Sequence, residues 1–340
     1  MTADAQQSTE SRSAREIAID RMATWRQLAT AAVIVGACIL PLLVSDYRNF
    51  QFTQVIIYAI ALMGLNILMG INGQISLGHG AFYAIGAYTA AIMMTHWGVS
   101  PYLTIPVAGA LAFLFGFLFG IPALRLHGLY LALATLALAL ALPQLLRFDA
   151  FEDWTGGVQG IFIDKPDVPF GLPVSQDQWL YYVCLVIALV LYWAALNLVR
   201  GRVGRALMAI RDHHIAAESM GIDTARFKSL AFGVSALYTG VAGALSALVV
   251  NFASPDSFNV LLSIALLVGV VVGGLGSIGG AVFGGLFIVF VPNLSQSISD
   301  AAPWVIYGLF LIVLMFVMPN GVAGFLAWAA SRLAGRGERS

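Results

Sequence analysis

Residues 129–146 read Leu-Tyr-Leu-Ala-Leu-Ala-Thr-Leu-Ala-Leu-Ala-Leu-Ala-Leu-Pro-Gln-Leu-Leu. Odd and even positions are equally apolar, so the stretch does not alternate as a half-solvated strand would. A membrane β-barrel strand of about 10 residues with polar alternate positions is excluded for the same reason. As a helix the stretch rises about 1.5 Å per residue, close to the length that spans about 30 Å of hydrocarbon. Similar runs cover 28–45, 54–71, 79–97 and 102–121 before it, and 179–199, 229–250, 260–275, 279–294 and 303–320 after it. None of these runs holds an Asp, Glu, Lys or Arg. Hydrophobic residues make up 60% of the chain and charged residues 10%, with mean hydropathy +0.87; a soluble domain carries about 25% charged residues. The expected fold is all-α, a polytopic transmembrane bundle of about ten spans.

Charge distribution orients the bundle. With the N-terminus inside, 14 of the 17 basic residues fall on inner segments and Arg48, Arg147 and Lys165 fall outside, as the positive-inside rule requires. The organisation read from this is a polar cytoplasmic segment 1–27, a transmembrane region 28–328 and a basic cytoplasmic tail 329–340. Two connections are long enough to act as surfaces. The external loop 147–178 carries six acids against two bases, and the cytoplasmic loop 200–228 carries six bases with Asp212, Glu218 and Asp223. The zero net charge gives no reason to expect nucleic acid as a partner.

Within 200–228, Leu207, Ile210, His214 and Ala217 recur at helical spacing, and Gly221 stands where a glycine ends a helix. Asp212 is placed to cap a second short helix. An amphipathic helix at the cytoplasmic mouth suits a docking protein; a basic loop that only fixes topology is the plainer reading. His213 and His214 lack a third ligand nearby in sequence, so no metal is expected.

Glycine interrupts the apolar pattern twice. Gly73, Gly78 and Gly80 separate the second and third runs, and Gly273, Gly274, Gly276, Gly279 and Gly280 separate the eighth and ninth. Both places are expected to be broken or re-entrant helices. Backbone freed at membrane depth needs a partner or a water-lined cavity, which makes Asn72, Gln74, Ser76, His79, Thr135 and Ser277 candidates for a translocation path of uncharged polar groups. The competing reading is close helix packing through Gly80, Ala81, Ala84, Gly86 and Ala87. Gly274-x-x-Ser277-Ile278-Gly279 also superposes on Gly73-x-x-Ser76-Leu77-Gly78, a short internal repeat.

Absences narrow the function. The two lysines, Lys165 and Lys228, follow Asp164 and Phe227, so no phosphate-binding Gly-Lys-Ser/Thr loop exists. Only His79 and His96 offer titratable imidazoles inside the runs, too few for an evident proton relay. Cys38 and Cys184 lie in apolar runs and read as small buried residues. No nucleophile, base and orienting group are gathered, so no enzyme is expected. A permease energised by a separate ATPase fits best; an ion-coupled or passive transporter acting alone is the alternative, and a structural subunit the third.

Four ordered motifs carry a resemblance: Asn72–Ala90 (Asn-Gly-Gln-Ile-Ser-Leu-Gly-His-Gly-Ala-Phe-Tyr-Ala-Ile-Gly-Ala-Tyr-Thr-Ala), Arg125–Leu136 (Arg-Leu-His-Gly-Leu-Tyr-Leu-Ala-Leu-Ala-Thr-Leu), Gly204–Lys228 with Arg211-Asp212, Ala216-Ala217 and Gly221-Ile222, and Gly273–Gly280. Over roughly residues 50–325 the chain resembles the permeases of bacterial branched-chain amino acid ABC importers, the LivM type more than the LivH type. The resemblance implies an ABC importer permease architecture in the bacterial inner (plasma) membrane. It implies a heterodimer with a LivH-type permease, two cytosolic ABC ATPase subunits, and a periplasmic amino-acid-binding protein delivering Leu, Ile or Val. It implies that ATP is used by the partner subunits and that this chain binds no cofactor of its own. Related permeases serve urea, short amides or other amino acids. The family's Glu-Ala-Ala-x-x-x-Gly coupling pattern matches at Ala216, Ala217 and Gly221, with Ile215 in place of the Glu; the implied ATPase-coupling residues are Arg211, Asp212, Ala216, Ala217 and Gly221.

Overall fold

Helices separated by glycine-rich breaks make up most of the computed structural model, which describes residues 35–124, 126, 128–169, 174–298, 303–326 and 328. The expected segments 1–27 and 329–340, and the start of the first run at 28–34, lie outside the described residues, as do Arg125 and His127. Packing divides the chain into Met1–Asn49 and Phe50–Ser340. In the first unit residues 35–43 are helical, and Asn49 Nδ2 donates to the Pro41 carbonyl at 3.2 Å.

The main helices are α1 (Asp46–Asn66, continued by a π-helical turn Ile67–Ile71), α2 (His79–Trp97), α3 (Pro101–Ala123), α4 (Leu129–Leu146) and α5 (Gln176–Arg200). There follow α6 (Arg202–Asp212), α7 (His214–Ser219), α8 (Thr224–Val250), α9 (Val260–Gly273), α10 (Ala281–Ile298) and α11 (Pro303–Val317). Among the described residues five helices are long and apolar enough to cross a membrane: Asp46–Ile71, Pro101–Pro122, Leu129–Leu146, Gln176–Arg200 and Thr224–Val250. The chain is a membrane protein. Three spans are longer than the uncharged runs predicted, since α1 starts at Asp46, α5 runs from Gln176 to Arg200 and α8 starts at Thr224, taking charged residues into their end turns. Helix α9 has 14 residues and reaches only about 21 Å, so it stops short of a full crossing at the glycine break and α10 starts anew beyond it.

Helices α1 and α8 form the centre, each 78% buried, whereas α5 is 17% buried and presents its side chains outward. Close approach around α8 is achieved by missing side chains. A Cβ at Gly86 of α2 would collide with the Gly240 carbonyl of α8, and one at Gly120 of α3 would lie 2.8 Å from the Ser229 Cα. At one end of the bundle the loop after α4 is tied back by a two-stranded antiparallel pairing of β1 (Ile161–Phe162) with β2 (Phe252–Ala253). Thr155 Oγ1 donates to the Leu146 carbonyl at 2.7 Å. The connection carrying α6 and α7 lies at the other end, because α5 descends from the loop end and α8 returns to it.

Candidate functional site: two glycine breaks joined to a peripheral amphipathic helix

The first break runs from Asn72 to Gly78, between the π-helical turn and α2. The helix ends because Gly73 takes φ +74°, a left-handed conformation natural to glycine. Its polar groups turn on one another. His79 Nδ1 shares a hydrogen bond with Ser76 Oγ at 3.0 Å, and its Nε2 shares one with Ser235 Oγ of α8 at 2.6 Å. Leu77 N donates to Thr135 Oγ1 of α4 at 2.9 Å, Gly80 N to Ser263 Oγ of α9 at 2.9 Å, and Asn72 Nδ2 to Gln74 Oε1 at 2.6 Å. Ser76, His79, Thr135, Ser235 and Ser263 are buried. The break is therefore stitched to three helices by hydrogen bonds between neutral groups.

Ser76, His79 and Thr135 thus come together around the break, Asn72 and Gln74 pair with each other at its start, and Ser277 belongs to the second break. The two breaks are joined by Asn66, which the sequence did not single out. Its Nδ2 donates to the Ser277 carbonyl at 2.8 Å and to the Gly274 carbonyl at 3.2 Å, and its Oδ1 accepts from Gly276 N at 2.7 Å. Gly276 has φ +83° and Gly274 φ +111°. One amide side chain satisfies three backbone groups that the broken helix α9 leaves free. Ser235 and Ser263 were also missed: a single hydroxyl in a long apolar run barely alters its hydropathy. The rival packing reading holds for Gly86, whereas Gly80 lies against Ser263, where a Cβ would stand 2.6 Å from Oγ.

The peripheral connection forms two short helices rather than one: the helical spacing of Leu207, Ile210, His214 and Ala217 is broken at His213, which is extended, and His214 is exposed. Helix α6 buries Gly204, Leu207 and Ile210. Helix α7 buries Ala217 and leaves Ile215, and Met220 at its C-cap, exposed. Gly221, at φ +81°, closes α7: Gly221 N donates to the Glu218 carbonyl at 2.9 Å and Ile222 N to the Ala217 carbonyl at 3.1 Å, the two bonds of a Schellman stop. A further expectation is corrected. Asp212 does not cap α7, because it is the last residue of α6 and His213 takes the flanking extended position without a side-chain cap; its carboxylate instead pairs with Arg211 Nε at 3.1 Å.

Arg211 itself turns toward the bundle. Its guanidinium donates to the Gly70 carbonyl at 2.7 Å, in the π-helical turn that precedes the first break. Gln74 N has reached back to Leu68 rather than Gly70, so Arg211 supplies a donor to the Gly70 carbonyl from another element. The stem passes beneath Gly73, where a Cβ would stand 2.6 Å from Arg211 Cγ. The π turn thus joins three parts: Arg211 from the amphipathic helix, the polar break after it, and, through Asn66 one turn earlier, the second break.

A many-helix membrane protein with neutral broken segments at its centre and a helix pair gripping them from one end is a permease by architecture. Residues 49–318 match the family described as "Branched-chain amino acid transport system / permease component", and the chain belongs to that family. It is 33% identical over 329 residues to the high-affinity branched-chain amino acid transport system permease protein LivM of Escherichia coli, covering 90% of this chain and 76% of the relative. It is 28% identical over 284 residues to the permease protein BraD of Pseudomonas aeruginosa (78% of this chain, 91% of the relative). To the LivH permease protein of Salmonella typhimurium it is 26% identical over 284 residues (78% and 91%). The greater likeness to LivM agrees with the motif resemblance. No solved structure matches.

Proposed function

We propose that this chain is the LivM-type subunit of an ATP-driven importer that moves leucine, isoleucine and valine inward across the bacterial inner membrane, paired with a LivH-type permease. Two cytosolic ABC ATPases supply the energy and a periplasmic binding protein supplies the solute. Both termini are cytoplasmic, which puts α6 and α7 in the cytosol and the loop 147–178 in the periplasm. The names of the relatives and the charge asymmetry of the loops support this placement. Transport of urea, short amides or other amino acids by the same architecture is the alternative.

The observation that carries the reading is the bond from Arg211 to Gly70. It gives force applied to the cytosolic helix pair a direct mechanical route to the broken segment at the centre. The exposed Ile215 of α7 and Met220 at its C-cap offer the ATPase an apolar foothold, and Ala216, Ala217 and Gly221 fix its shape. Closure of the ATPase dimer moves α6 and α7, Arg211 drags the π turn, and Asn66 passes the displacement to Gly274–Ser277. Both breaks then shift together, opening Asn72, Gln74, Ser76, His79, Thr135 and Ser277 to the solute. The solute makes no covalent bond to the chain.

Ala217→Glu places a charge at a buried position of α7, and Gly221→Val forces a β-branched residue to φ +81°. Each variant is expected to insert and assemble with its partners but to lose solute-stimulated ATP hydrolysis. Wild-type transport by either would remove α7 from the coupling role.

A further inference from the structure

A zwitterionic amino acid carries a carboxylate and an ammonium, and the apolar runs contain no side chain of opposite charge for either. The first place where both charges can be met is the loop end of the bundle. Arg147, the C-cap of α4, pairs there with Asp256 in the 3-10 turn Pro255–Phe258 that leads into α9. The Asp256 side chain is 71% exposed, and an ion pair this open to water contributes little, about 0–1 kcal/mol. It costs little to open.

What surrounds the pair is less usual. Arg147 Nε is buried without a hydrogen-bond partner, and so is the Tyr88 hydroxyl. Tyr88, on α2, is 2% exposed and its ring meets that of Phe258, in the same 3-10 turn as Asp256. Buried donors left unpaired are uncommon, and each costs about 1–3 kcal/mol until an acceptor arrives. A carboxylate brings the oxygen acceptors that such donors lack. Beside them the Phe258 ring stands 5.9 Å from Tyr88 and 6.1 Å from Tyr83, an aromatic wall suited to a branched aliphatic side chain. Another ion pair at this end, Lys165 with Asp177 at 2.6 Å, joins the loop to the start of α5, and among the described residues it has no such orphaned donors beside it.

From these residues we propose that Arg147, Asp256 and Tyr88 form an outer receiving site for a free zwitterionic amino acid with an apolar side chain. The solute's carboxylate takes Arg147 and the Tyr88 hydroxyl, its ammonium takes Asp256, and its side chain lies against Phe258. Binding exchanges one ion pair for two, so the charges never cross into the apolar region unmatched at this level. Helix α2 then runs from Tyr88 past Tyr83 to Gly80 and His79 at the polar break. The site deepens the permease reading and rests on it.

The test uses the full complex in proteoliposomes, with this chain, its partner permease, the ATPases and the binding protein, and measures labelled leucine uptake against the concentration of leucine-loaded binding protein. Tyr88→Phe removes a hydroxyl that makes no hydrogen bond to the protein, so a structural role predicts no change. The receiving site predicts a loss of maximal uptake of about three- to tenfold, the scale of one hydrogen bond, with the half-saturating concentration of binding protein unchanged. The double exchange Arg147→Asp with Asp256→Arg keeps an ion pair but inverts it; uptake is expected to stay low. Wild-type uptake by Tyr88→Phe, or full recovery by the exchanged pair, overturns the site while leaving the permease reading intact. Failure of the wild-type complex to import any amino acid would overturn both.

Discussion

Replacing Arg211 by alanine removes the side chain that hydrogen-bonds α6 to the Gly70 carbonyl of the π-helical turn, and the structure sets the size of the effect. A charge-assisted hydrogen bond such as this one, at 2.7 Å, is worth about 1.5–3 kcal/mol when fully desolvated. Here the Arg211 side chain is 42% exposed, so water competes and about 1–2 kcal/mol is a fair working value. A cytosolic subunit can bias the break by no more than the free energy its link distinguishes between states. That corresponds to a factor of about 5–30. The reconstituted complex is therefore expected to hydrolyse ATP at close to its basal rate while moving about 5- to 30-fold less leucine per ATP. Arg211→Lys should recover only part of the loss, since an ammonium cannot hold the Gly70 carbonyl and Asp212 in the fixed fork of a guanidinium. Gly73→Ala should mimic Arg211→Ala, because its Cβ would stand 2.6 Å from Arg211 Cγ and its φ is +74°. If Arg211→Ala assembles normally and keeps the wild-type ratio of uptake to hydrolysis, coupling does not pass through Gly70.

Three other outcomes follow from the same contacts. Gly86→Ala pushes a methyl into the Gly240 carbonyl and should lower stability by about 1–3 kcal/mol, read as a reduced Tm in detergent; an unchanged Tm would mean α2 and α8 approach less closely. His79→Phe deprives Ser76 and Ser235 of their shared partner, at about 1–3 kcal/mol for the stranded Ser235 hydroxyl, Ser76 still accepting from Gly78 N, and should abolish uptake without preventing membrane insertion, with His79→Gln retaining some; equal uptake by all three forms would take the cluster out of the path. Residues 147–178 carry six acids and two bases, so raising salt from low to moderate strength should increase the binding-protein concentration needed for half-maximal uptake by screening those charges; salt-independent docking would assign the loop a passive role.

The spans and their breaks were legible because hydropathy and glycine act locally. A run such as Leu129–Leu146 reports its own burial in lipid, and Gly73 or Gly274 reports its own φ. Charges blurred the boundaries: α1 begins at Asp46 and α8 at Thr224, because a helix continues into the polar interface where its first turn can be solvated. Asp212 was misplaced by one residue of chain path, since the extended conformation falls on His213. The long-range ties were invisible. Asn66 meets Gly276 across 210 residues and Arg211 meets Gly70 across 141, and no periodicity carries such pairings. Ser76 and His79 stood out because they sit in a dense polar stretch, whereas Ser235 and Ser263, alone in apolar helices, became recognisable only through the partners they face.

The most direct measurement concerns energy. Proteoliposomes holding this chain and its partner permease, with loaded binding protein inside the outer-facing compartment, are compared with and without the cytosolic ATPases and ATP. Labelled leucine should accumulate above its external concentration only when hydrolysing ATPases are bound. Accumulation against the gradient by the permease pair alone would contradict the account.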